Sequence, residues 1–232
     1  MPTTITVDGI PVRVLFSKRK SLKLQVTDEG EVRLEAPVGI SGETIIRFVQ
    51  EHRNWILKKR EIILKRDPKV TKREFVSGES FLYLGRYYRL KLVDDQREPL
   101  IWKDGWFYLS KKHKDNAREV FIRWYREQAK IIIPKRVWWY ALLGGFKYNR
   151  VLITNAKKRW GSYTGNGNLN FSWRLVMAPM GAIDYVVVHE LVHTLEPRHT
   201  PEFWGKVKVL LPDYEKWKSW LDEYGYILTN II

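Results

Sequence analysis

Cysteine is absent from this 232-residue chain, which excludes a disulfide framework and any thiolate metal site. A metal here has to be held by histidine, carboxylate and water. No stretch of about 18 apolar residues occurs, which excludes an ordinary membrane-spanning helix. The opening MPTTITVDGI has neither a basic n-region nor an apolar h-region, so the expectation is a soluble, cytoplasmic protein with no membrane partner. Internal repeats and low-complexity linkers are also missing from the sequence. Histidine is scarce, with five in all, and three of them fall between positions 189 and 199.

What is present is enough apolar material, 44% of residues, to bury a substantial core. The formal net charge of +15 is unevenly spread. Residues 111–174 carry 15 basic and only three acidic side chains, whereas residues 175–232 carry five basic and eight acidic ones. Such a basic segment can attract a nucleic acid, a nucleotide or an acidic polypeptide. A solvated basic surface is the plain alternative. This shift in composition divides the chain into a β-rich region with one helix, 1–110, and a second region, 111–232, although the two can form one integrated unit. No sequence feature specifies an oligomeric state.

Residues 3–37 alternate apolar with polar, at Ile5 and Val7, Val12 and Val14, Leu22 to Val26, and Val32 with Leu34, which predicts an antiparallel β-meander. Asp8-Gly9 and Asp28-Glu29-Gly30 supply turns. Ser41 is placed to cap one long helix that carries Ile45, Val49 and Ile56 and ends near Asp67-Pro68, with Lys65 and Arg66 on its basic face. Two short strands about Gly85 and a further one at Phe107 and Leu109 come next. An aromatic helix then starts near Val120, kinks or restarts at Pro134, and stops at Gly144-Gly145. Leu169, Phe171, Trp173 and Leu175 alternate with polar residues and predict a strand whose polar edge borders a cleft and can pair with a substrate peptide.

The chemistry concentrates in His189-Glu190-Leu191-Val192-His193, with His199 six residues on. Positions i and i+4 of a helix share a face, so His189 and His193 can point at one ion. Glu190 then lies beside the ion and can take a proton from water there, the division of labour of a zinc hydrolase. The bland reading is an apolar core helix that happens to hold two histidines. Burial argues against it, because buried imidazoles and a carboxylate need polar partners, and a divalent cation supplies one to all three.

His199 is the third ligand in this reading, at the spacing found in metzincins, although Glu196 stands where those proteins have glycine. Pro197 can redirect the chain instead. Glu196, Glu202, Asp213 and Glu215 are the alternative carboxylate ligands or supporting groups. Asp184, a little over one turn before His189, reads as a helix-start residue.

The KRWGS segment, the NLNFSWRLVMAP strand and HELVHTLEPRHTPEFW together resemble the YgjP-like zinc metallopeptidase family, related to SprT-like proteins. SLKLQV, EAPVGIS and LGRYYRL extend the resemblance over nearly the whole chain. It implies a zincin-like α+β fold, with His189, His193 and His199 as ligands of Zn2+, Glu190 as general base, and a polypeptide substrate. Tyr163 stands where the family often has cysteine. Metal-dependent pyrophosphohydrolysis of a nucleoside triphosphate such as UTP, also associated with the family, is the alternative activity. Three histidines favour zinc over the magnesium typical of that work. A nucleic-acid-binding module with a structural metal is the non-enzymatic alternative, and three ligands leave a position open where a structural site is usually closed by four.

Overall fold

A computed structural model describes residues 3–27, 29–64 and 73–230. Asp28, Lys65, Arg66 and the Asp67-Pro68 break lie outside the described residues. The chain folds as two compact units, Met1–Lys69 and Val70–Ile232. The division thus falls well before residue 110. The charge step near 111 marks a change of surface, whereas a unit is defined by which apolar side chains share a core.

The first unit contains β1 (Thr3–Val7), β2 (Ile10–Ser17), β3 (Lys23–Val26) and β4 (Val32–Pro37), in the sheet order β1-β2-β4-β3. β2 and β4 run parallel, with Val12 opposite Val32 and Val14 opposite Leu34, so the sheet is mixed and the predicted all-antiparallel meander is corrected. The reason lies in burial. β4 buries Val32, Leu34 and Ala36 and occupies the centre, while four-residue β3, with Lys23 exposed, is left at the edge. Ser41 Oγ accepts from the Thr44 amide at 3.2 Å and caps α1 (Gly42–Glu51), which buries Ile45 and Val49. The single predicted helix is two, because His52 leaves helical geometry before α2 (Arg53–Leu64) begins.

In the second unit, β5 (Ser80–Tyr83), β6 (Arg86–Val93), β7 (Leu100–Lys103) and β8 (Trp106–Ser110) form a sheet of order β5-β6-β8-β7, again with its central pair parallel. Strand order and sense repeat those of the first unit. The sequence carries no visible repeat because only the hairpin plan is shared, not the side chains. β7, with its Asp104-Gly105 turn, was not foreseen. Phe81, Leu90, Phe107 and Leu109 pack with Phe121 and Tyr125 of α3 (Ala117–Gly144), which is why this sheet belongs to the second core.

α3 runs as one helix through Pro134, in place of the predicted kink or restart, and ends at Gly145 in the left-handed region. β9 (Arg150–Thr154), β10 (Gly161–Tyr163) and β11 (Asn168–Ser172) form a three-stranded sheet, ordered β10-β11-β9. β11 stops at Ser172, and Trp173–Met177 form a buried 3₁₀ segment where the strand was expected to continue. The remaining elements are α4 (Met180–Val192), α5 (Pro201–Leu210) and α6 (Tyr214–Asn230). The architecture is α+β, and the zincin-like arrangement fits it. Among the described residues no helix is long and apolar enough to cross a membrane.

The start of α4 is held by the β5–β6 turn. Leu84 and Gly85 donate their amides to the carbonyls of Val176 and Met177, each at 2.9 Å, and Gly85 has φ +78°. A Cβ on Gly85 would lie 2.8 Å from Pro179 Cα. Backbone in that position cannot yield easily. Gly85→Ala should therefore cost about 2–4 kcal/mol, combining left-handed strain with overpacking. A urea unfolding curve should show the midpoint lowered with its slope unchanged.

Candidate metal centre

Ten of the 13 residues of α4 are buried, including the run Tyr185-Val186-Val187-Val188, and the helix packs against α3, α5, α6 and β10. β-Branched residues form helices poorly in isolation, so packing on every side sustains this one. Asp184 is not at the helix start. It is buried one turn in, and Arg136 of α3 donates to both its carboxylate oxygens at 2.6 and 2.8 Å.

His189 lies in the last turn of α4 and His193 at its C-cap. The chain then turns through Thr194, Leu195 and Glu196, whose amides return to carbonyls of Leu191 and Val192 at 2.9–3.0 Å. Glu196 needs no left-handed backbone, since it is not among the residues with positive φ. Thr200 caps α5, accepting from Phe203 N, and this leaves His199 just ahead of that helix. Nε2 of His189 stands 3.1 Å from Nε2 of His193 and 3.0 Å from Nε2 of His199.

Two nitrogens each about 2.0–2.1 Å from a tetrahedral ion are separated by about 3.3 Å, so these imidazoles fit one ion without large movement. They are the one group of three or more potential ligands that converges among the described residues. Three of the four alternative carboxylates are engaged elsewhere. Glu196 faces Lys206 at 3.8 Å, Asp213 accepts from Trp217 Nε1 at 2.8 Å, and the Thr200 side chain holds Glu202 below the usual carboxylate range.

Electrostatics favour the same occupant. Burial first, then His193, His199 and Lys218, push the His189 pKa down to about 3, and burial lowers that of His199 as well. Both imidazoles are thus neutral electron-pair donors at pH 7. His193 Nδ1 lies 3.0 Å from the Glu196 carbonyl, to which it donates, and its Nε2 faces the cluster. Nδ1 of His189 is buried with no such partner. The C-terminal end of α4 adds partial negative charge where a cation would sit.

Glu190 is 6% exposed, and burial raises its pKa to about 7, against the opposing pull of the Tyr163 amide and of Arg159. A group titrating there can both accept and release a proton near neutrality. Gly161 makes room for it, because a Cβ at that position would lie 2.6 Å from Glu190 Cγ and 2.7 Å from Oε1.

The edge strand that borders Glu190 is therefore β10, with β9 at the opposite edge. β11, predicted to border the cleft, is paired on both sides by β10 and β9. Gly161, Tyr163, Phe203 and Trp204 were not picked out as site residues. The glycine of KRWGS and the Phe-Trp pair soon after His199 were the available signals. Phe203 lies edge-on to His189 at 4.9 Å between centroids, and Trp204 stacks on His199 at 5.7 Å.

The fold and this cluster define an α+β protein with a three-imidazole pocket fit for a divalent ion. A family model described as YgjP-like, metallopeptidase domain, matches residues 20–224, and the chain belongs to that family. Its domain is thus of a metal-dependent, peptidase type. Comparison with curated proteins and with solved structures finds no match.

If the three imidazoles share one ion, His189→Ala, His193→Ala and His199→Ala should each lower bound metal from about one ion per chain to a small fraction of that. Elemental analysis after dialysis reads this directly. Full occupancy in His199→Ala would remove that residue from the set.

Proposed function

We propose that the protein is a zinc-dependent peptidase in which His189, His193 and His199 hold the ion and Glu190 is the general base. The observation that carries this reading is the pairing of three converging imidazoles, two of them held neutral by burial, with a buried carboxyl on α4 that a backbone amide holds and burial raises to about 7. When bound, zinc supplies a Lewis acid that polarises the scissile carbonyl and acidifies the attacking water.

The chain's own residues perform the proton transfers. Glu190 takes the proton from water as it attacks the peptide carbon, then delivers it to the departing amine, which leaves the carboxylate ready for another turnover. The Tyr163 amide keeps one Glu190 oxygen occupied and orients the other. Among the described residues β10 has a strand partner only in β11, so a peptide in extended form can lie along its other edge and present its backbone beside Glu190. Phe203 and Trp204 pack around the imidazoles and limit their rotation.

Replacing Glu190 with glutamine keeps the side chain's size and the three imidazoles, and removes only the proton acceptor. Hydrolysis of a quenched fluorescent peptide should fall by about 10²–10⁴-fold while metal content stays at the wild-type level. Turnover unchanged in Glu190→Gln would reject the mechanism.

A further inference from the structure

On the other side of Gly161 from helix α4's carboxyl lies a second feature. A cavity of about 250 Å³ is lined by Thr154, Arg159, Ser162, Asn170 and Ser172 as well as by Gly161 itself. Register explains its polarity. β11 turns Leu169 and Phe171 into the core, so Asn170 and Ser172 occupy its other face, opposite Ser162 and Thr154 of the neighbouring strands.

Most of these polar groups are already committed. Thr154 Oγ1 donates to the Phe171 carbonyl at 3.3 Å, Ser172 Oγ to the Ala156 carbonyl at 2.7 Å, and Asn170 Nδ2 to Ser162 O and Oγ at 3.3 and 3.4 Å. Two donors remain. Ser162 accepts from Asn170, which leaves its own proton to give, and Arg159 makes no salt bridge among the described residues. Among the described residues, none that lines the cavity is acidic.

We propose that this cavity is a subsite for an acidic side chain of the peptide substrate, whose carboxylate is taken by the Arg159 guanidinium and the Ser162 hydroxyl. The proposal rests on the peptidase reading and adds the class of residue cleaved beside. A carboxylate satisfies both free donors at once, and with the planar guanidinium it can make two parallel bonds. A lysine or arginine side chain would meet the like charge of Arg159, and an apolar one would leave the Arg159 and Ser162 donors without a partner.

Position links the cavity to the chemistry. Gly161 is shared, being one wall of the cavity and the residue against which Glu190 is packed. A peptide extended along β10 places alternate side chains on one face of the sheet, so a residue flanking the scissile bond reaches the cavity while its backbone stays at Glu190. Trp160 keeps the wall in place, its ring set against α6 so closely that a Cβ on Gly225 would lie 2.8 Å from Cζ2.

The test uses metal-loaded protein and quenched peptides identical except for Glu, Gln or Lys at each position flanking the cleaved bond. The wild type should cleave the Glu peptide with kcat/KM at least about tenfold above the Gln peptide, and the Lys peptide more slowly still. In Arg159→Gln the Glu-to-Gln ratio should fall to near one, and in Arg159→Glu the Lys peptide should become the better substrate. Equal rates for Glu and Gln in the wild type, or a ratio that survives Arg159→Gln, would overturn the subsite. If no peptide is cleaved, the peptidase reading fails separately. The subsite is then judged by fluorescence anisotropy on the Glu190→Gln protein, where tighter binding of the Glu peptide that depends on Arg159 supports it and equal binding refutes it.

Discussion

A helix with no polar side has to be surrounded, and the second unit of this protein is arranged by that requirement. α4 buries Ala182, Ile183, Val186, Val187, Val188 and Leu191, and α3, α5, α6 and β10 all pack on it. Each polar group it carries must then find a partner inside the protein or a ligand. Asp184 finds Arg136, and Glu190 finds the Tyr163 amide. The imidazoles at the C-terminal end find mainly one another, which brings three ring nitrogens within reach of a single cation.

The same requirement explains why the site was more legible than the fold. His189, Glu190 and His193 are read at fixed spacing along one helix, and an i, i+4 pair is close whatever the rest of the chain does. His199 needed the turn after Val192, which Pro197 signalled locally and which the structure completes with a cap at Thr200. Sheet order is not local information. Nothing in the alternation of residues 3–37 states that β4, and not β3, lies beside β2, because both strands alternate and only relative burial selects the centre. The continuous run of α3 through Pro134 shows packing overriding a local preference, with Ile133, Val137 and Ala141 buried on either side of the proline.

The compact units divide earlier than the charge step for a related reason. Charge distribution is a surface property, and residues 80–110 share the surface character of the first unit's strands but contribute their apolar side chains to the core around α3. Phe81 stacks on Phe121 of α3 at 4.2 Å, and Tyr125 donates its hydroxyl to the Leu82 carbonyl at 2.7 Å. Aromatic residues at helical spacing on α3 thus fill a core, which was the plainer of the two uses open to them. Their partners, being strands some forty residues before them in the chain, were invisible to any reading that took the helix alone.

What the sequence concealed most fully is the part played by backbone at Glu190. Glycine weakens a strand by giving up side-chain packing and adding freedom to the unfolded chain, so Gly161 in three-residue β10 carries a cost. The structure returns that cost as proximity. With no Cβ at 161, the Glu190 carboxyl comes against the strand and accepts the Tyr163 amide. A side chain donor could swing away from the carboxyl, whereas an amide fixed in a sheet cannot. Trp160, one residue before Gly161, closes against Gly225 of α6, so a second glycine makes room for the ring that anchors the strand. The position of the carboxyl therefore depends on two missing side chains, which leave no periodicity to read and show in a sequence only where, as with the glycine of KRWGS, they fall inside a motif.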